Sequence, residues 1–309
     1  MARLPGLRWF RRSAATLATA TASAAPLAVP AEAWSGREAF LALRDGPGHE
    51  RLKAQWQMGS ALPAALGDEG ASGFCPLCGI RSRFGNPGDP GSLDLREGLA
   101  CRRCGIAARV RHALALLVEG LDLAKARVYL TEQASPGFVW LQSRAPRAEG
   151  SEFGLDDARR RRLQRWLAAL GGSGELVEAD VTRLDRPSAS LDAIGCFDVL
   201  EHVPDYRAAL REFARVLVPG GRLVVTAPFL ETEQATRVRA RQHPDGRIEH
   251  IDPPEIHGDP VAGGVLCYYH FGWDLLDAAR EAGFSRAEWV RTFAPESALY
   301  GLWALRARR

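Results

Sequence analysis

Between Leu191 and Pro228 the chain changes its hydrophobic period twice. Leu191 to Cys196 is a short apolar run of buried-strand type. Beyond Asp198-Val-Leu-Glu201-His202, the apolar residues Tyr206, Leu210, Phe213, Val216 and Leu217 recur at helical spacing. Pro219-Gly220-Gly221 stops that helix, since glycine adopts the left-handed backbone that closes helices. Leu223 to Ala227 then reads as a second buried strand. Strand, helix and strand form a βαβ crossover, the unit of a parallel sheet with helices on both faces. Around it the pattern predicts a strand over 126–130 and a helix over 107–121 carrying Val110, Ala113, Leu114, Leu116 and Leu117. It also predicts an amphipathic helix through Leu163, Trp166, Leu167 and Leu170, a helix over 273–282, and strands over 288–293 and 300–306.

Composition adds limits. With 309 residues, 46% hydrophobic and 25% charged, the chain is long enough for one full-sized domain and a smaller module. A net charge of +3 does not by itself call for nucleic acid. Arg159 to Arg162 and Arg165 cluster, but on the polar face of the amphipathic helix, which reads as a solvated surface. No apolar stretch is long enough to span a membrane. Residues 1–33 carry early arginines and an Ala/Thr-rich stretch with hardly a large side chain, and are expected to be a disordered extension in a cytoplasmic protein, export being the alternative. Residues 34–70 are expected to hold a short helix, Glu38 to Arg44, followed by a Gly/Pro/Ala-rich linker.

Of the six cysteines, four form two matched pairs, Cys75-Pro-Leu-Cys78-Gly and Cys101-Arg-Arg-Cys104-Gly. Each CxxC turn brings two thiolates to one point, and two turns supply the tetrahedral ligands of structural Zn²⁺. Disulfides or a redox CxxC are the alternatives. Residues 71–106 are therefore expected to be a four-cysteine zinc ribbon whose metal, fully ligated by protein, is structural. Cys196 and Cys267 are unmatched and read as buried thiols.

The stretch LDAIGCFDVLEHVPD followed by FARVLVPGGRLVVTAP resembles the fourth strand, following helix and fifth strand of class I S-adenosylmethionine (SAM) dependent methyltransferases, nearest the type 11 group. The likeness runs from about Lys125 to the C-terminus. It implies a doubly wound, mostly parallel, seven-stranded Rossmann-type sheet over 107–309. The resemblance implies SAM as cofactor, with Glu132 and Gly137 in the loop after the first strand, Glu152 at the ribose, Asp180 and Val181 at the adenine, and Cys196 and Phe197 facing the cofactor at the end of strand four. The loop departs from the family: Thr131 stands where an acid is usual, and Gly137 alone remains of the expected glycines.

Asp198, Glu201 and His202 share one helical face at the sheet edge. The resemblance makes them candidates for a divalent-ion site, with His250, His257 or His270 as a fourth ligand; the alternative is that they shape the pocket without metal. His202, Glu201 and His270 are the candidate catalytic residues. Residues 231–270 are too long for a simple connection and are expected to cover the substrate. The expected function is SAM-dependent methyl transfer to an oxygen or nitrogen of a small-molecule, glycan-linked or RNA acceptor. The competing expectation is a catalytically degenerate module that contacts RNA or protein through the ribbon and the arginines.

Overall fold

In chain order, the computed structural model begins with β1 (Glu32–Trp34), α1 (Arg37–Arg44) and α2 (His49–Ala65). It describes residues 28–65, 70–85, 94–258 and 264–309. Next come β2 (Ala71–Cys75), β3 (Ile80–Gly85) and β4 (Ala100–Cys101), paired antiparallel as a small sheet. α3 (Ala108–Val118) leads into β5 (Val128–Leu130), α4 (Pro136–Gln142), β6 (Glu149–Gly150), α5 (Asp157–Ala169), β7 (Leu191–Phe197), α6 (Tyr206–Val216) and β8 (Leu217–Thr226). Six short strands follow: β9 (Arg237–Val238), β10 (Ala240–Gln242), β11 (Ile248–His250), β12 (Ile256–His257), β13 (Val265–Leu266) and β14 (Tyr269–His270). α7 (Leu275–Glu281), β15 (Arg286–Ala294) and β16 (Leu299–Arg308) close the chain.

The main sheet has seven strands in the order β1-β15-β16-β8-β7-β5-β6. β6, β5, β7 and β8 pair in parallel, whereas β16, β15 and β1 each pair antiparallel to their neighbours. Side chains alternate along each strand as the pleat requires. Ala193, Val224, Val290 and Ala304 face a layer built on α3, α4 and α5. Ile194, Cys196, Leu223, Val225, Trp289 and Leu305 face the layer of α6 and α7. The doubly wound α/β expectation is met.

Four details depart from the sequence reading. The stretch expected as a third strand yields a single parallel bridge, Glu178 to Glu152. Just beyond it, Asp180 Oδ1 accepts from the Thr182 amide at 2.8 Å and from its hydroxyl at 2.7 Å, which turns the chain away from the sheet. The seventh strand comes from the N-terminal side. Glu32–Trp34, which begins inside the stretch expected to be disordered, pairs with β15, and Trp34 packs on Phe40 and Trp303 with ring centroids 5.3 and 5.4 Å apart. Residues 1–27, most of that stretch, lie outside the described residues. The expected linker after α1 is largely helical, because α2 continues to Ala65. Finally, Pro219-Gly220-Gly221 does not precede β8 but lies within it. Gly220 takes φ +77°, and the β7–β8 register shifts between Leu191 and Ala193.

The ribbon is continuous with the core of the main domain. Leu77, Phe84, Leu99 and Ile106 belong to the same buried cluster as Leu114, Phe138 and Val290. Arg111 of α3, fully buried, donates to four carbonyls: Leu99 (2.5 Å) and Ile106 (3.1 Å) on the ribbon side, Ser297 and Ala298 (both 3.0 Å) beside β16. Trp140 of α4 donates its indole N–H to Leu77 O at 3.2 Å. Among the described residues, no helix is long and apolar enough to cross a membrane.

Candidate functional site

The parallel strands all end at one edge, and the segment after each contributes to a cleft of about 1540 Å³ there. Ser135 caps α4 by accepting from Phe138 N at 3.1 Å, which fixes the turn after β5. Gly137 sits in the first turn of α4 against α3: a Cβ there would meet Val110 Cγ1 at 3.0 Å. A side chain there would press on Val110, so the close approach of α3 and α4 favours glycine. Glu152 Oε1 accepts from Ala134 N at 2.7 Å, tying the β5 loop to the end of β6.

Of the residues expected to contact a cofactor, Glu132, Gly137, Glu152, Asp180 and Val181 line the cleft. Cys196 and Phe197 do not. Their side chains are buried in the layers on opposite faces of the sheet, because a strand places consecutive side chains on opposite sides. Burial raises Glu132 to about 8; Glu152, Asp198 and Glu201 add to the rise, while Arg109 opposes it.

Asp198 takes the left-handed conformation, φ +53°. Its carboxylate accepts from Arg96 Nη2 at 2.5 Å and Thr226 Oγ1 at 2.9 Å, and pairs with Arg109 Nε at 3.2 Å. Burial pushes Asp198 up, but Arg109 and Arg96 overcome it and hold the group at about 2. An aspartate so occupied does not join Glu201 and His202 in an ion site, which corrects the Asp198, Glu201, His202 grouping. Arg96 and Arg109 also line the cleft, so the ribbon side forms part of its wall. Sequence reading missed both. The available signal was two arginines, 109 and 111, at positions within an otherwise apolar helix.

His202 lines the cleft, and Glu201 lies behind it, fully buried. His202 Nδ1 is 2.8 Å from Leu266 O of β13, and its ring packs edge-on against His257 at 4.9 Å. The insertion walls the cleft through Gln242, Ile256, His257, Val265 and Leu266. His270 is elsewhere. Its Nε2 is 3.1 Å from Glu255 Oε1, and among the described residues it is not part of the cleft lining, which corrects its assignment as catalytic. His250 lies on exposed β11. Glu201 raises His257 to about 9, burial opposing and Glu255 assisting.

The four ribbon cysteines meet in a second cluster. Cys75–Cys104 and Cys78–Cys101 sulfurs are each 4.0 Å apart, and all four sulfurs lie within 4.8 Å of one another. Zinc–sulfur bonds of about 2.3 Å give tetrahedral S···S edges of about 3.8 Å, so this donor set fits Zn²⁺. All four cysteines are free thiols, which removes the disulfide alternative for this structure.

A cleft at the carboxyl edge of the parallel strands, with Glu132 and Glu152 from the ends of β5 and β6 on its wall, lies where doubly wound α/β folds bind their ligands. Residues 121–225 match the family described as methyltransferase domain. The demethylmenaquinone methyltransferase of Deinococcus radiodurans is 40% identical over 92 residues, covering 28% of this chain and 36% of that protein. The ubiquinone biosynthesis O-methyltransferase of Xanthomonas oryzae pv. oryzae is 49% identical over 39 residues, covering 13% of this chain and 16% of that protein. The chain therefore spans well under half the length of these relatives. Among solved structures, a SAM-dependent methyltransferase from Mesorhizobium loti shares 18% identity and a TM-score of 0.42, covering 66% of this chain and 98% of the other.

Proposed function

We propose that the protein transfers a methyl group from SAM to an oxygen or nitrogen nucleophile of a small hydroxylated acceptor. The observation that carries this reading is the convergence of Glu132 and Glu152, from the ends of β5 and β6, and of Asp180 and Val181, from the turn after the Glu178 bridge, on one cleft within the matched family segment. SAM supplies an electrophilic methyl on a positively charged sulfur, so the chain has mainly to bind, orient and exclude water. The Glu152 carboxylate suits a hydroxyl-bearing ligand, and Glu132, which burial raises, would ionise opposite a cationic one. Apolar Val181 and Leu163 suit the flat face of an adenine. The four ribbon cysteines would hold one structural Zn²⁺, which fixes the cleft wall carrying Arg96. Names of relatives that refer to quinone substrates support a small-molecule acceptor over RNA.

Binding of SAM to Glu152→Ala and Asp180→Ala by equilibrium dialysis tests the placement. Each substitution should weaken binding by about 1–3 kcal/mol, the range for a lost charge-assisted hydrogen bond. Unchanged affinity in both would remove the cofactor from this cleft.

A further inference from the structure

We infer that a second cavity, between α2 and the β15–β16 hairpin, binds a small aromatic carboxylate through Arg291. The cavity measures about 410 Å³, within the size range of small-molecule pockets. Among the described residues it shares no lining residue with the larger cleft, although Leu95 lines the one and its neighbours Arg96 and Glu97 line the other. The inference therefore stands apart from the methyl-transfer reading.

The backbone is bent around a guanidinium. Thr292 pairs with Leu302 but Phe293 pairs with Tyr300, so Gly301 bulges out of the ladder. Gly301 takes φ +67°, in the left-handed region that glycine enters freely, and a Cβ there would lie 3.0 Å from Arg291 Nη2. Bulges commonly sit beside functional sites, where they re-aim a side chain.

Arg291 is half-buried and incompletely paired. Among the described residues its one hydrogen bond runs from Nη1 to the neutral Gln55 Oε1 at 2.5 Å, and no carboxylate forms an ion pair with it. A guanidinium has five N–H donors. The other arginines of the core are better supplied: Arg111 donates to four carbonyls, and Arg222 donates to Leu116 O at 2.7 Å and Leu117 O at 3.0 Å. Burial pushes Arg291 down from the usual guanidinium range; Arg51 adds to the fall, while Glu231 and Glu32 oppose it. An anion entering the cavity would supply the missing acceptors and offset the cost of burying the charge.

The other lining residues set the class of anion. Leu52, Leu95, Phe293 and Tyr300 make an apolar wall, and Trp56, 70% exposed, adds an indole that a flat ligand would cover. Lys53, exposed and without an ion pair among the described residues, brings a second cation, whereas Arg44 is neutralised by Asp45 at 2.7 Å. Glu231 also lines the cavity and opposes a doubly charged group. A single carboxylate on a planar ring meets these conditions together, its two oxygens matching the fork of Arg291. Phosphate lacks the ring and carries too much charge, and an aliphatic acid leaves the aromatic wall uncovered.

The test titrates the full, zinc-loaded chain with benzoate by calorimetry, with benzyl alcohol, acetate and inorganic phosphate as comparison probes. We expect one saturable benzoate site with a Kd below about 1 mM, and no comparable binding of the other three. Arg291→Lys keeps the charge but loses the fork, and should weaken benzoate about tenfold. Lys53→Glu changes an exposed position that the fold does not depend on, and should weaken it about fivefold. Absence of benzoate binding overturns the inference, as does benzyl alcohol or phosphate binding as tightly as benzoate, or an affinity that survives both substitutions. SAM affinity measured on the same samples reports on the other cleft, so failure here and failure of the cofactor reading are told apart.

Discussion

Replacing Arg111 with methionine should destabilise the ribbon and the main domain together. Arg111 is fully buried, donates to four carbonyls on two sides of the junction, and stacks over Phe84 at 4.4 Å. Methionine restores most of the volume but none of the donors. Each carbonyl left dry costs about 1–3 kcal/mol. Relief of the guanidinium's own burial offsets part of that sum, leaving a net loss of about 3–5 kcal/mol. At about 2–4 °C per kcal/mol for large domains, the midpoint should fall by roughly 10 °C. Scanning calorimetry, with tryptophan fluorescence reporting Trp140 and Trp289 in the core, should show one cooperative transition moved as a whole. A fall of less than about 2 °C, or a new low-temperature transition with the main one unmoved, would refute the shared core.

The four cysteines predict one tightly held zinc per chain by metal analysis, and Cys78→Ser should lose it and lower the melting temperature of the whole chain, since the ribbon shares its core. Asp198, held at about 2, contributes stability that is present above its unfolded value near 3.8 and is lost as pH falls through about 2. Asp198→Asn should cost about 2 kcal/mol at neutral pH and flatten that acid limb in urea titrations; an unchanged limb would remove the latch with Arg96 and Arg109. Trp34→Ala should cost about 3–5 kcal/mol in denaturant unfolding if β1 is an integral edge strand, and almost nothing if it is a loose tail.

The stretch 191–227 was legible because a strand period and a helix period follow each other there, although the expected stop at Pro219-Gly220-Gly221 lies within β8. The cysteine cluster was legible because ligand spacing is local. Other features were not, for physical reasons that differ. Asp180 lies in a motif that resembles a strand, yet its carboxylate captures Thr182 and ends the strand after one bridge. Trp34 and its partners Phe40 and Trp303 come together only in the fold, so an Ala-rich window hid an anchored strand. Glu201 and His202 were visible as neighbours, but His257 joins them only because β12 and β13 fold back over the sheet edge. Arg109 looked like any helix-surface charge until Asp198 was placed opposite it.

Calorimetric titration of SAM into the purified full chain tests the central claim most directly. One saturable SAM site per chain, competed by S-adenosylhomocysteine and weakened in Glu152→Ala, is the expected result. Absence of any SAM binding by the folded, zinc-loaded chain would contradict it and leave the fold as a scaffold for another role.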